Sequence, residues 1–228
     1  VDGDHGFLPR SPPADWRTSR EPLFLCVSRL AKAVPFACAT RGTFRSLVDA
    51  DAPKFAAIDG NYVAGLRLVD AERLRSLLAF VAAAYARCDG AAASPRPGTL
   101  GDRRLPADVY AALGHVSERL GRPRKKMCYA DCVLYNWTDE SAAGHWAEGT
   151  RGGAASLVAR FLAVSEEDAF WKLLLAVERT SPRIVAAILR GREAMRLRAA
   201  DGLGAALGDL RAALRAASEA HVFRPGPA

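Results

Sequence analysis

Apolar residues recur at helical spacing along almost the whole chain, and no stretch shows the strict alternation of a half-buried strand. From Glu21 to about Val34, the positions Leu23, Phe24, Val27, Leu30 and Ala31 repeat every three or four residues, and Pro35 is expected to end that helix. Asp70 is expected to cap a second long helix reaching about Cys88, with Leu74, Leu77, Leu78, Val81 and Tyr85 on its apolar face. Further helices are expected over 107–120, 126–137, 165–180 and from after Pro182 to 190, followed by an Ala-, Leu- and Arg-rich helix over about 192–220. The Gly- and Pro-broken stretch 36–65 is read as short helical turns. An all-α fold follows, because a chain patterned on one period buries its apolar stripes helix against helix.

The organisation is read as an irregular lead-in over residues 1–20, anchored by Phe7, Leu8 and Trp16, and one helical domain over 21–228. Its loops fall near 90–105, where Ala, Ser, Pro and Gly dominate, and near 138–153. In the last helix Leu203, Leu207, Leu210 and Leu214 are read as a core stripe, with an oligomer seam as the alternative.

Bulk properties narrow the function classes. The chain has 228 residues, half of them apolar, enough to bury one core. No apolar run reaches the roughly eighteen residues that span a bilayer, and the first residues lack the layout of a secretory signal. A cytoplasmic location without membrane association is expected. The formal charge of +7 comes mainly from Arg spread along the chain, the composition of a GC-rich bacterial gene, so a solvated surface rather than nucleic-acid binding is expected. Cysteines at 26, 38, 88, 128 and 132 are odd in number and irregularly spaced, which reads as reduced thiols. Cys128 and Cys132 are one helical turn apart, but no second Cys or His pair with zinc spacing accompanies them.

The most chemically loaded segment is Tyr129 to Trp137, YADCVLYNW. It follows the turn signal Leu120-Gly121-Arg122-Pro123. On a helix, Tyr129, Cys132, Val133 and Asn136 share one face that combines apolar bulk with polar tips. Such a face suits either a small-molecule pocket or a core helix with its polar tips satisfied. Ser165-Glu166-Glu167-Asp168 reads as a helix start with acidic residues favourably placed on its dipole. Phosphate loops, dinucleotide fingerprints, HExxH and GxSxG are absent from the sequence.

Three stretches in order carry a resemblance. The segment SERLGRPRKKMCYADCVLYNW from Ser117 is similar to the part of indoleamine 2,3-dioxygenases in which a Leu-Gly helix end and a Pro precede a Tyr-Ala-Asp run ending in Asn-Trp. Gly6-Phe7-Leu8-Pro9, with Trp16 after it, is similar to that family's opening, and Phe170 to Glu178 resembles its distal helix. Ala84-Tyr85 and Leu105-Pro106 agree as well, so the likeness covers most of the chain.

The resemblance implies haem b, dioxygen as co-substrate, and oxidative cleavage of the indole ring of tryptophan or a related indole to N-formylkynurenine. Carried over by position, the distal pocket is lined by Tyr129, Cys132 and Val133 from one segment and by Phe170 and Leu174 from another. Phe170 matches the family's aromatic over the haem, whereas Leu174 stands where many members have Ser, implying a drier and narrower pocket.

None of His5, His115, His145 and His221 matches the family's axial position; His145, beside Trp146 in a loop, is the substitute candidate. The axial histidine and the family's substrate-holding Phe and Arg are expected beyond the last residue. His221 to Pro225 resembles the junction after the family's long helix, so an N-terminal portion is expected, with apolar faces that favour self-association. Two alternatives stand beside the dioxygenase: a haem-free helical remnant serving as a binding or interaction module, and a haem oxygenase or hydroxylase of another aromatic substrate.

Overall fold

A computed structural model describes residues 7–9, 21–40, 43–87, 105–122, 126–139 and 155–220. Seven α-helices dominate them: α1 (Pro22–Ala39), α2 (Thr43–Asp51), α3 (Gly60–Ala64), α4 (Leu68–Arg87), α5 (Ala107–Arg119), α6 (Ser165–Arg196) and α7 (Ala200–Ala220). A 3-10 turn (Ala52–Ala57) follows α2, and a π-wound turn (Ala130–Leu134) precedes β1 (Trp137–Asp139), which pairs antiparallel with β2 (Ala155–Leu157). The fold is all-α apart from this ribbon.

The helical spacing read along α1, α4 and α5 does what it predicts. Val27, Leu30 and Val34 of α1, Leu74, Leu77, Leu78 and Val81 of α4, and Val109, Leu113 and Val116 of α5 form the main core, joined by Phe44, Val48 and Phe55. Helix α1 starts where the Glu21 carboxylate accepts the Phe24 amide at 2.6 Å.

Several boundaries differ from the sequence reading. Pro35 does not end α1, which runs on to Ala39 with Val34 and Ala37 buried on either side of the ring. Burial outweighs the one backbone bond that proline removes. Asp70 lies inside the first turn of α4 rather than at its cap, and its carboxylate holds Arg67.

The helices expected on either side of Pro182 are one, α6, about 48 Å long by its 32 residues. Pro182 offers no N–H to the Glu178 carbonyl, and the Ser181 hydroxyl donates to that carbonyl instead at 2.7 Å. The helix therefore passes the proline without an orphaned acceptor.

The leucine stripe of α7 is only half core, with Leu203 and Leu210 half-buried. Ala206, Ala213 and Ala217 are the residues buried against α6, while Leu207 and Leu214 remain 56% and 51% exposed. Small residues let the two helices approach closely: a Cβ built on Gly191 would lie 3.6 Å from that of Ala206, and one on Gly202 would lie 3.3 Å from that of Ala194. Of the lead-in, Leu8 is packed but Phe7 is half exposed. Trp16 and most of the two expected loops lie outside the described residues, as do His5, His145 and His221.

Candidate functional site

The Tyr129–Trp137 segment is not the straight helix expected from its spacing. Helix α5 ends at Arg119; Gly121, just past its cap, has a φ of +63° that suits the residue without a Cβ, and the Arg122 amide returns to the Ser117 carbonyl at 2.8 Å. The chain then restarts in a tight turn. The Asp131 and Cys132 amides both reach the Cys128 carbonyl, and the Tyr135 amide bonds the Ala130 carbonyl five residues back. That wider winding ends in β1, so the expected helix over 126–137 becomes a π turn and a strand.

A charge from α4 fixes the turn in place. Asp131 is fully buried and forms an ion pair with Arg75, itself 1% exposed. The other Asp131 oxygen accepts the Cys128 amide at 2.8 Å, its carbonyl takes the Ser76 hydroxyl at 2.6 Å, and Arg75 also donates to the Lys126 carbonyl. Arg73, two residues earlier on α4 and also buried, donates to the Trp137 carbonyl at 2.5 Å. A sequence scan for apolar faces passes over these residues. Their signal is that Arg73, Arg75 and Ser76 interrupt the apolar pattern of α4.

This anchoring sets the face that the segment turns toward α6. Cys132 and Val133 are buried with Trp137 and Leu175, and Leu174, Trp171, Met127 and Leu8 pack around them. Burial, reinforced by the neighbouring Asp131 charge, pushes the Cys132 thiol up to about 12, so it stays protonated. The Tyr129 hydroxyl donates to Glu178 of α6 at 2.8 Å. Burial and that carboxylate together raise its pKa well above the usual phenol value.

Asn136 has a different role from the one its spacing suggests. Its side chain donates to the Ala159 carbonyl at 3.0 Å and accepts the Ala159 amide at 2.8 Å, prolonging the ribbon like one more strand residue. It is buried and fully used, and so is a structural clamp rather than a polar tip facing a ligand.

Four of the five residues carried over as pocket lining are thus brought together across the contact between the π turn and α6: Tyr129, Cys132, Val133 and Leu174. Phe170 lies at the outer end of the same side of α6, 53% exposed, its ring edge-on to Trp171 with centroids 4.8 Å apart. A cavity of about 610 Å³ opens elsewhere, between α1, β2 and the start of α6. Lys32, Phe36, Val158 and Arg160 are among its lining, and none of the five residues is. Arg160 is held there by Asp168.

The family model for indoleamine 2,3-dioxygenase matches residues 1–221. The chain belongs to the indoleamine 2,3-dioxygenase family. This is a family of haem dioxygenases acting on tryptophan and related indoles with dioxygen. No curated protein matches the chain.

The donor set can be tested against haem. The apolar Cys132, Val133 and Leu174 with Phe170 and Trp171 suit one wall beside a flat macrocycle. An iron ligand is another matter. His115, the histidine among the described residues, belongs to α5, which packs on α3, α4 and the 52–57 turn rather than in the Cys132 cluster. The Cys132 thiol is protonated and the Tyr129 phenol is committed to Glu178. The described residues therefore fit a wall and not the axial position of haem iron.

Proposed function

We propose that this member of the family takes part in haem b-dependent oxidative cleavage of the indole ring of tryptophan or a related indole, giving N-formylkynurenine. Its own contribution is the distal wall formed by Tyr129, Cys132, Val133, Phe170 and Leu174, with the iron ligand drawn from outside the described residues. The observation that carries this reading is the juxtaposition of the π turn with α6 in a chain matched to the family over 1–221. Haem, when bound, supplies the dioxygen chemistry; these residues exclude water and seat the aromatic ring. Leu174 in place of a hydroxyl leaves that wall without a hydrogen-bond donor at its centre, so it orients a substrate by shape rather than by a polar contact there.

The test is titration of the purified chain with haemin, followed by assay with tryptophan and dioxygen. A Soret band and tryptophan-dependent N-formylkynurenine support the reading, with Phe170→Ala lowering turnover and Leu174→Ser altering it. Unchanged kinetics in both variants would remove these positions from the pocket. A second reading, a haem-free helical binding module, is favoured by the lack of an axial donor among the described residues. Indole binding without any haem uptake would select it.

A further inference from the structure

The cavity of about 610 Å³ between α1, β2 and the start of α6 is a second concave site, separate from the wall described above. Its size falls within the roughly 300–1,000 Å³ typical of sites that take small organic ligands. Much of its lining is apolar. Leu157 at the end of β2 and Val158 after it are buried, and Val158 belongs to the main core. Phe36 of α1 and Val164, at the N-cap of α6, extend this surface outward. Both are exposed, at 72% and 44%, so the apolar lining runs from the core to solvent as a ligand groove does.

The polar part of the lining has a sign. Lys32, Arg160 and Asp168 are its charged side chains. Asp168 accepts from Arg160 with both carboxylate oxygens, so these two charges cancel. The charge of Lys32 remains as a net single positive unit. Lys32 stands four residues before Phe36 on the same face of α1, about 6 Å along the axis. The cavity thus sets one cation beside a continuous apolar surface.

That combination narrows the ligand class. A cation would be repelled by Lys32, and a dianion such as phosphate would bring a second negative charge toward Asp168. A zwitterionic amino acid would carry an ammonium in among Lys32 and Arg160. We infer that the cavity binds an amphipathic monocarboxylate of the fatty-acid class, its carboxylate paired with Lys32 and its aliphatic tail laid along Phe36, Val158 and Val164. Burial of the tail supplies the affinity, and the head group supplies the selection. The site shares no residue with the haem wall and does not rest on it.

Isothermal titration calorimetry of the full chain with decanoate, decanol and decyltrimethylammonium tests the inference, since the three share a tail and differ in head group. Decanoate is expected to bind most tightly and the ammonium least. Lys32→Met keeps the aliphatic stem and removes the charge. It should weaken decanoate roughly threefold to fivefold and leave decanol unchanged, a modest factor because Lys32 is exposed and the pair forms within reach of water. Added salt should narrow the gap between decanoate and decanol in wild type. Ala163→Trp fills the cavity from an exposed position and should weaken decanoate and decanol together, roughly tenfold or more, with circular dichroism melting to check that the fold is intact.

Binding of decyltrimethylammonium as tight as that of decanoate would overturn the inference, as would no binding of decanoate. Decanoate affinity unchanged in Ala163→Trp would place it outside this cavity. A loss in Ala163→Trp with none in Lys32→Met would overturn the selection of a carboxylate. Displacement of decanoate by tryptophan would move it to the wall and overturn the separate site, whereas persistence of decanoate binding in Phe170→Ala supports it.

Discussion

Replacing Asp131 by Ala removes the negative partner of Arg75 from a place where neither side chain meets water, at 0% and 1% exposure. The guanidinium then stays in the interior with the Lys126 carbonyl and the Cys128 sulfur in reach. Breaking one side of a buried pair costs about 3–5 kcal/mol, and loss of the 2.8 Å bond to the Cys128 amide belongs to the same change. Arg122 also loses a charge 3.6 Å away, but it is 24% exposed and keeps Glu72, so its share is small.

A loss of about 4 kcal/mol is a large part of the roughly 5–15 kcal/mol that holds an ordinary domain together. Urea unfolding followed by tryptophan emission is the direct assay, because Trp137 is fully buried beside the turn. The double replacement Arg75→Met with Asp131→Leu should recover most of the loss, since the charge that needed a partner is gone as well. A loss below about 1 kcal/mol for Asp131→Ala, with the urea slope unchanged, would refute the view that this pair fixes the Tyr129 segment.

Three further outcomes are expected. Iodoacetamide near pH 8 should label exposed Cys128 well before buried Cys132, whose thiol is pushed up to about 12, with mass spectrometry of the peptides as readout; Asp131→Ala should narrow that gap. Gly204→Ala and Gly208→Ala on α7 should each raise stability by about 0.5–1 kcal/mol in thermal melts, because a Cβ at either meets nothing within 4 Å, while Gly202→Ala, 3.3 Å from Ala194, should gain less or lose.

The Asp168 carboxyl is held below its ordinary value of 3.8 by the Arg160 hydrogen bond, against a smaller opposing effect of burial. A depressed folded pKa means stability that is present above the unfolded value and lost as pH falls through the folded one. The advantage of wild type over Asp168→Asn should therefore be level above about pH 5, no more than about 1 kcal/mol, and shrink below about pH 4. A difference that grows on acidification would contradict it.

How far the fold could be read from residues depended on whether burial followed period or partner. The stripes Leu74, Leu77, Leu78 and Val81 in α4 and Val109, Leu113 and Val116 in α5 face the core because a 3.6-residue repeat leaves no other face to bury. Leu207 and Leu214 of α7 follow the same period and are exposed, with Leu203 and Leu210 only half-buried, because the alanines beside them permit a closer approach to α6. Pro182 looks like a helix end until Ser181 is seen to supply the missing donor. The three-residue strands are too short to display alternation at all.

The site divides in the same way. Family membership and an all-α architecture were legible from the chain, since motif order and periodicity are properties of sequence. The resemblance already set Cys132, Val133 and Leu174 on one pocket, whereas that Asn136 clamps Ala159 and that Glu178 answers Tyr129 were decided only by tertiary structure. The reason is physical: a buried charge or amide is defined by its partner, and Asp131 with Arg75 or Glu178 with Tyr129 stand 56 and 49 residues apart in the chain.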